Sequence, residues 1–251
     1  MMIARYRTAL PLHRARGFAL SDIDAPGAAF RTALLSKAGR GRLHATLGAR
    51  ADSARRRGLG LILSLPGGDL AIQGHPAPLR RAVALMGDIR QGHETASTPI
   101  VLSGLLAPRA TGAAADLHRP IRGLARSGVD MVIATCASTS DAVATVHAAA
   151  AFDLPIAIRF TTTAQGDLPG GGTLADAIAA VDDKAAGATG ATNATPVFYL
   201  ADMTGAPTPH PRLRRLRADA HDQGDFGRLT RIEGGFGGPL SAASPRLSQA
   251  A

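Results

Sequence analysis

The stretch Leu59-Gly60-Leu61-Ile62-Leu63-Ser64-Leu65-Pro66-Gly67-Gly68 decides how this chain folds. Leu59–Leu65 is apolar apart from Ser64 and has the length of a strand rather than a helix. Pro66 and two glycines close it. An apolar run without polar alternation is buried on both faces, as strands are in parallel sheets.

Downstream, Leu79, Val83, Met86 and Ile89 recur at helical spacing and predict a helix over 78–91. Pro99–Leu105 is the next strand. Asp116–Ser127 follows as a helix ending at Gly128, a C′ glycine. Val129–Ala134 is a strand. Ser138 and Asp141 have capping-box spacing before a helix bearing Val143, Val146 and Ala150. Leu154–Phe160 is a strand with Thr161-Thr162-Thr163 at its end. Asp167–Gly172 is a loop, and Thr173 with Asp176 repeats the capping spacing before a helix carrying Leu174, Ile178 and Val181. Upstream, Tyr6–Leu12 is expected as a first strand and Ser21–Ala28 as a loop. Ala29–Arg57 is expected as a helix in two parts, broken near Gly39–Gly41.

This alternation requires a largely parallel α/β sheet. A closed eight-fold barrel and an open doubly wound sheet both satisfy it. No Gly-x-Gly-x-x-Gly run follows a strand, and no Walker-type Gly-Lys-Ser/Thr occurs. Gly170-Gly171-Gly172 is followed by Thr173 with no lysine. The absence favours a (β/α)8 TIM barrel formed as one domain over 1–251. After Lys184 the pattern decays. Phe198–Leu200 is brief, and Leu213–Ala218 reads as either strand or helix. Leu229–Ile232 is the final strand, before Gly234-Gly235. The barrel is therefore expected to be abbreviated in its C-terminal quarter.

The apolar share is 45% of 251 residues, with two Tyr, seven Phe and no Trp, so the core must be built from Leu, Ile, Val and Ala. The net charge is +9, and only Lys37 and Lys184 are lysines. The arginine runs, Arg55–Arg57 and Arg212, Arg214, Arg215 and Arg217, are short and lack interleaved aromatics. Solvated faces explain them better than specific nucleic-acid binding. A single cysteine, Cys136, excludes an intrachain disulfide and an intrachain multi-thiolate metal site. No transmembrane span or secretory signal is expected, which leaves the cytoplasm as the default location.

The chain resembles the homocysteine S-methyltransferase family. The resemblance rests on Arg55–Gly60, on Thr98–Gly104 with Pro108-Arg109, and on Ser127–Val132. It is longest from Phe160 to Asp182. Asn193 with Pro196 and the Gly234-Gly235 pair resemble two further segments. It implies a (β/α)8 barrel that moves a methyl group from a sulfonium donor to the homocysteine thiol. It also implies three cysteine thiolates holding a zinc ion that keeps that thiol ionised.

The matching positions here are Ala194, Phe236 and Gly237, none of which can ligate metal through its side chain. The family's early Asp-Gly-Gly segment should fall near residues 7–13, where neither residue type occurs, and Ser64 stands where an acid is expected. The expectation is therefore no metal cofactor. Two functions stay open: a methyltransferase of this type, or a diverged non-catalytic barrel binding a small metabolite or a protein partner. Candidate contacts for a small amino-acid-like substrate are Asn193, Thr161, Arg109, Gly234 and Gly235. Cys136, after the fourth strand, reads best as a small buried hydrophobe. Asp130 and Asp167 stand near strand–loop junctions without a second carboxylate to form an acid–base pair. Glu233, at the last strand's end, could reach the cavity.

Overall fold

The structure, a computed structural model, describes residues 5–23, 27–66, 76–106, 117–189, 195–202, 210–224 and 226–234. Eight strands close into a barrel in sequence order. They are β1 (Phe18–Asp22), β2 (Gly60–Leu65), β3 (Ile100–Leu106), β4 (Met131–Cys136), β5 (Ile156–Phe160), β6 (Tyr199–Asp202), β7 (Leu213–Gly224) and β8 (Gly227–Glu233). Six α-helices are described: α1 (Gly27–Leu35), α2 (Lys37–Arg56), α3 (Pro76–His93), α4 (His118–Ser127), α5 (Thr139–Ala150) and α6 (Leu174–Thr189). None of the described helices is long and apolar enough to cross a membrane.

β1 to β7 pair in parallel. β8 runs the other way and pairs antiparallel with both β7 and β1. The barrel is closed as expected, but a β7–β8 hairpin replaces the last strand–helix unit. The C-terminal abbreviation therefore takes the form of a reversed strand.

Two expectations are corrected, and one that stayed open is decided. The first strand is Phe18–Asp22, not Tyr6–Leu12, and it takes up part of the expected 21–28 loop. Pro11 has no N–H to give a ladder, and its carbonyl accepts from Arg14 N in a 3-10 turn over Leu12–Arg14. The long helix breaks at Ser36 rather than at Gly39–Gly41, because the Ser36 hydroxyl accepts from Gly39 N at 2.9 Å and starts α2. Leu213–Ala218 is strand, set by its pairing with β6 and β8.

The central elements form where their local signals lie. Gly128, at φ 96°, ends α4. Ser138 caps α5, accepting from Asp141 N, and Thr173 does the same for Asp176 N. One apolar layer lies between sheet and helices, with Leu61, Leu63, Ile156 and Ile158 turned outward. The other fills the lumen with Phe18, Leu20, Ile62, Val101, Met131, Ile133, Leu200 and Leu216. Gly60 is required beside Phe18, since a Cβ there would stand 2.5 Å from the ring.

The N-terminal segment closes the lower end of the barrel, at the strands' N-terminal ends. Leu10, Leu12 and Ala15 join the lumen cluster. Tyr6 N donates to Asp130 Oδ1 at 3.0 Å, Arg90 Nη1 to Oδ2 at 2.8 Å and Leu102 N to Oδ2 at 2.9 Å. Burial pushes the Asp130 carboxyl up, against the pull of Arg90 and the backbone N–H groups. Asp130 is thus an anchor at the lower end, away from the C-terminal mouth.

Candidate functional site

In barrels of this architecture, chemistry sits at the C-terminal ends of the strands. Side chains alternate along each strand, so Asp22 on β1, Ser64 on β2 and Arg159 on β5 all face the lumen near that end. Asp22 is 1% exposed and Arg159 8%. Arg159 Nη1 donates to Asp22 Oδ2 at 2.8 Å. β1 and β5 stand four strands apart in a ring of eight, so this ion pair crosses the full width of the mouth. Removing two charges from water is costly, and the pair persists because each compensates the other.

Two hydroxyls flank the pair. Ser64 sits opposite Asp22 in the β1–β2 register. Thr230, on β8, sits opposite Leu20, the previous inward residue of β1. Ser64 Oγ and Thr230 Oγ1 are buried and have no hydrogen-bond partner among the described residues. A buried hydroxyl left unpaired carries its desolvation cost uncompensated. Behind β1, Arg50 Nη1 from α2 donates to Ser21 Oγ at 3.0 Å and braces the strand from outside.

Asp22, Arg159 and Thr230 are absent from the sequence-based candidates. Arg159 had a visible signal: it is the single charge in Ile-Ala-Ile-Arg-Phe, at an inward position of a buried strand. Asp22 was hidden by the misplaced first strand. With β1 at Phe18–Asp22, an acid does stand at that strand's C-terminal end.

Of the sequence-based candidates, Thr161 directly follows β5 at the mouth. It is exposed, and its N–H donates to Cys136 O at 3.0 Å. Gly234 lies at the other end of the barrel, because the reversed β8 carries the chain downward. Gly234 takes φ 105°, and a Cβ there would stand 3.2 Å from Arg214 Cδ and 3.4 Å from Leu213 O. The fold therefore does not bring Thr161 and Gly234 together. Glu233 faces outward, its Oε1 3.6 Å from Arg217 Nη1, and does not reach the lumen. Asn193, Arg109 and Gly235 lie outside the described residues, as do Ala194, Phe236 and Gly237.

Cys136 faces the helix layer and is buried, and burial pushes its thiol up to about 12. It stays a thiol at neutral pH and is turned away from the mouth. With no second cysteine in the sequence, the residues present do not fit a zinc ion held by thiolates. Among the described residues, no group of three His, Cys, Asp or Glu side chains is placed to hold a metal.

No family model matches the sequence, and no curated protein matches it. Among solved structures, the chain is similar to the apo form of the homocysteine methyltransferase MmuM from Escherichia coli. Identity is 17%, with a TM-score of 0.46 over 61% of this chain. The match covers 58% of that enzyme's length, and it adds nothing to the barrel already traced from the strand pairing.

Proposed function

We propose that this barrel binds a small amino-acid-like molecule at its C-terminal mouth, without zinc-dependent methyl transfer. One observation carries the reading: the Asp22–Arg159 pair spans the mouth, with the Ser64 and Thr230 hydroxyls unpaired beside it. An α-amino acid carries an ammonium and a carboxylate on the same carbon. Asp22 suits the ammonium, and Arg159 suits the carboxylate through its planar fork of donors. Such a ligand exchanges one internal ion pair for two charge-assisted contacts, and the hydroxyls supply further hydrogen bonds.

The alternative is the reaction that the family resemblance implies, in which the homocysteine sulfur attacks a sulfonium methyl and a thioether leaves. That chemistry needs a thiolate held ionised at neutral pH, and the sequence has no thiolate set to hold the zinc that would do so.

The test has two arms on the purified protein. Calorimetry with homocysteine, methionine and S-methylmethionine should show saturable binding of at least one, and Arg159→Met should abolish it. No binding of any would overturn the ligand assignment. Tightly bound stoichiometric zinc, with methionine formed from homocysteine and S-methylmethionine, would overturn the non-catalytic part.

A further inference from the structure

A second polar site stands at the opposite end of the barrel, independent of the mouth. A cavity of about 660 Å³ opens there, lined by Arg5, Tyr6 and Arg14 from the N-terminal segment, by Arg90 and Gln91 from the end of α3, and by Glu94 just after it. Three guanidinium groups surround the Tyr6 ring, with Arg5 Cζ at 5.3 Å from its centroid, Arg90 Cζ at 5.7 Å and Arg14 Cζ at 5.9 Å. The ring's negative faces attract each of these cations.

The nearby acids are already engaged. Glu94 Oε2 accepts from Arg5 Nη1 at 2.6 Å, and Oε1 accepts from the Tyr6 hydroxyl and Ile100 N, each at 2.8 Å. Asp130 beneath is filled by Arg90 and backbone N–H groups. The two carboxylates therefore balance Arg5 and Arg90. Arg14 is exposed, and no carboxylate pairs with it among the described residues. Arg5 and Arg90 each donate one side-chain hydrogen bond there, which leaves most of their N–H groups for a ligand.

We infer that this cavity is a binding site for a small oxyanion, the phosphate or carboxylate group of a metabolite. The anion seats between Arg14 and Arg5 at the edge of Tyr6, where a forked donor meets two anion oxygens at once. Its negative charge compensates Arg14, which no carboxylate pairs among the described residues.

The experiment is calorimetric titration of the full-length protein with inorganic phosphate and with citrate at fixed ionic strength. Saturable one-to-one binding of at least one anion is expected. Arg14→Gln should weaken it about tenfold or more. Arg80→Gln, an exposed position near the other end of α3, should leave it unchanged. Thermal unfolding of Arg14→Gln without anion should match the parent, which separates lost binding from lost folding. No saturable binding in the parent, or equal weakening by both substitutions, overturns the site. A residual response that disappears on raising the salt is non-specific screening and overturns it as well.

Discussion

Asp22 and Arg159 lie 137 residues apart and meet inside a closed lumen, where neither charge can be left alone. Asp22→Ala strands a buried guanidinium, and the expected loss of stability is about 3–5 kcal/mol by urea denaturation. Adding Arg159→Met should recover a large part of that loss, since the buried charge goes too. If the double variant lost as much as the sum of the singles, the pair would not be coupled. A second residue-level expectation concerns pH. Partial burial holds the His210 imidazole below its ordinary 6.5, with a pull upward from Asp182 and downward from Arg212. His210 Nδ1 also accepts from Arg212 N at 3.3 Å, which requires an unprotonated nitrogen. The unfolded chain therefore binds the proton more readily than the folded one. Stability should fall as pH drops through 6.5 toward the depressed value, and the folded state should gain it back above 6.5. His210→Asn should flatten that part of a stability–pH curve. An unchanged slope would show that the imidazole does not contribute.

Among the elements, α2 shows how context reverses propensity. Gly39 and Gly41 both lie in its first turns, and replacing a helical glycine by alanine ordinarily stabilises. At Gly41 nothing stands within 4 Å of an added Cβ, so Gly41→Ala should stabilise by about 0.5–1 kcal/mol. At Gly39 the added methyl would run into the Ala33 carbonyl oxygen, across the sharp turn from α1. Gly39→Ala should destabilise, and thermal melts of the two variants should move in opposite directions. If both rose, the α1–α2 turn would be looser than it stands here. The same helix shows how much was legible beforehand. The helical content of residues 29–57 follows from composition. The break at Ser36 depends on a hydroxyl reaching Gly39 N, which the glycines at 39 and 41 masked. The capped helices α5 and α6 were legible because each cap and the donor it serves lie three residues apart.

For the whole molecule, β8 is the closing element. Its antiparallel ladders to β7 and β1 remove the two open edges that a seven-stranded sheet would leave. A chain ending before Gly227 should lose cooperative unfolding, followed by far-UV circular dichroism on heating. A sharp transition retained in that truncation would show that β1 to β7 suffice. The direction of β8 also separates Gly234 from Thr161, placing them at opposite ends of the barrel.

The sequence alone dictates the parallel βα alternation from Leu59 to Lys184, because strand length, helical period and caps are local properties of adjacent residues. It also determined that three thiolates cannot meet, since Cys136 stands alone. That Phe18–Asp22 is the first strand, that the last strand runs backwards, and that Asp22 faces Arg159 across the mouth emerges only in the folded chain. Those outcomes rest on which ladders pair and which charges must compensate each other in a closed lumen. Such contacts join residues more than a hundred positions apart, and no local period encodes them.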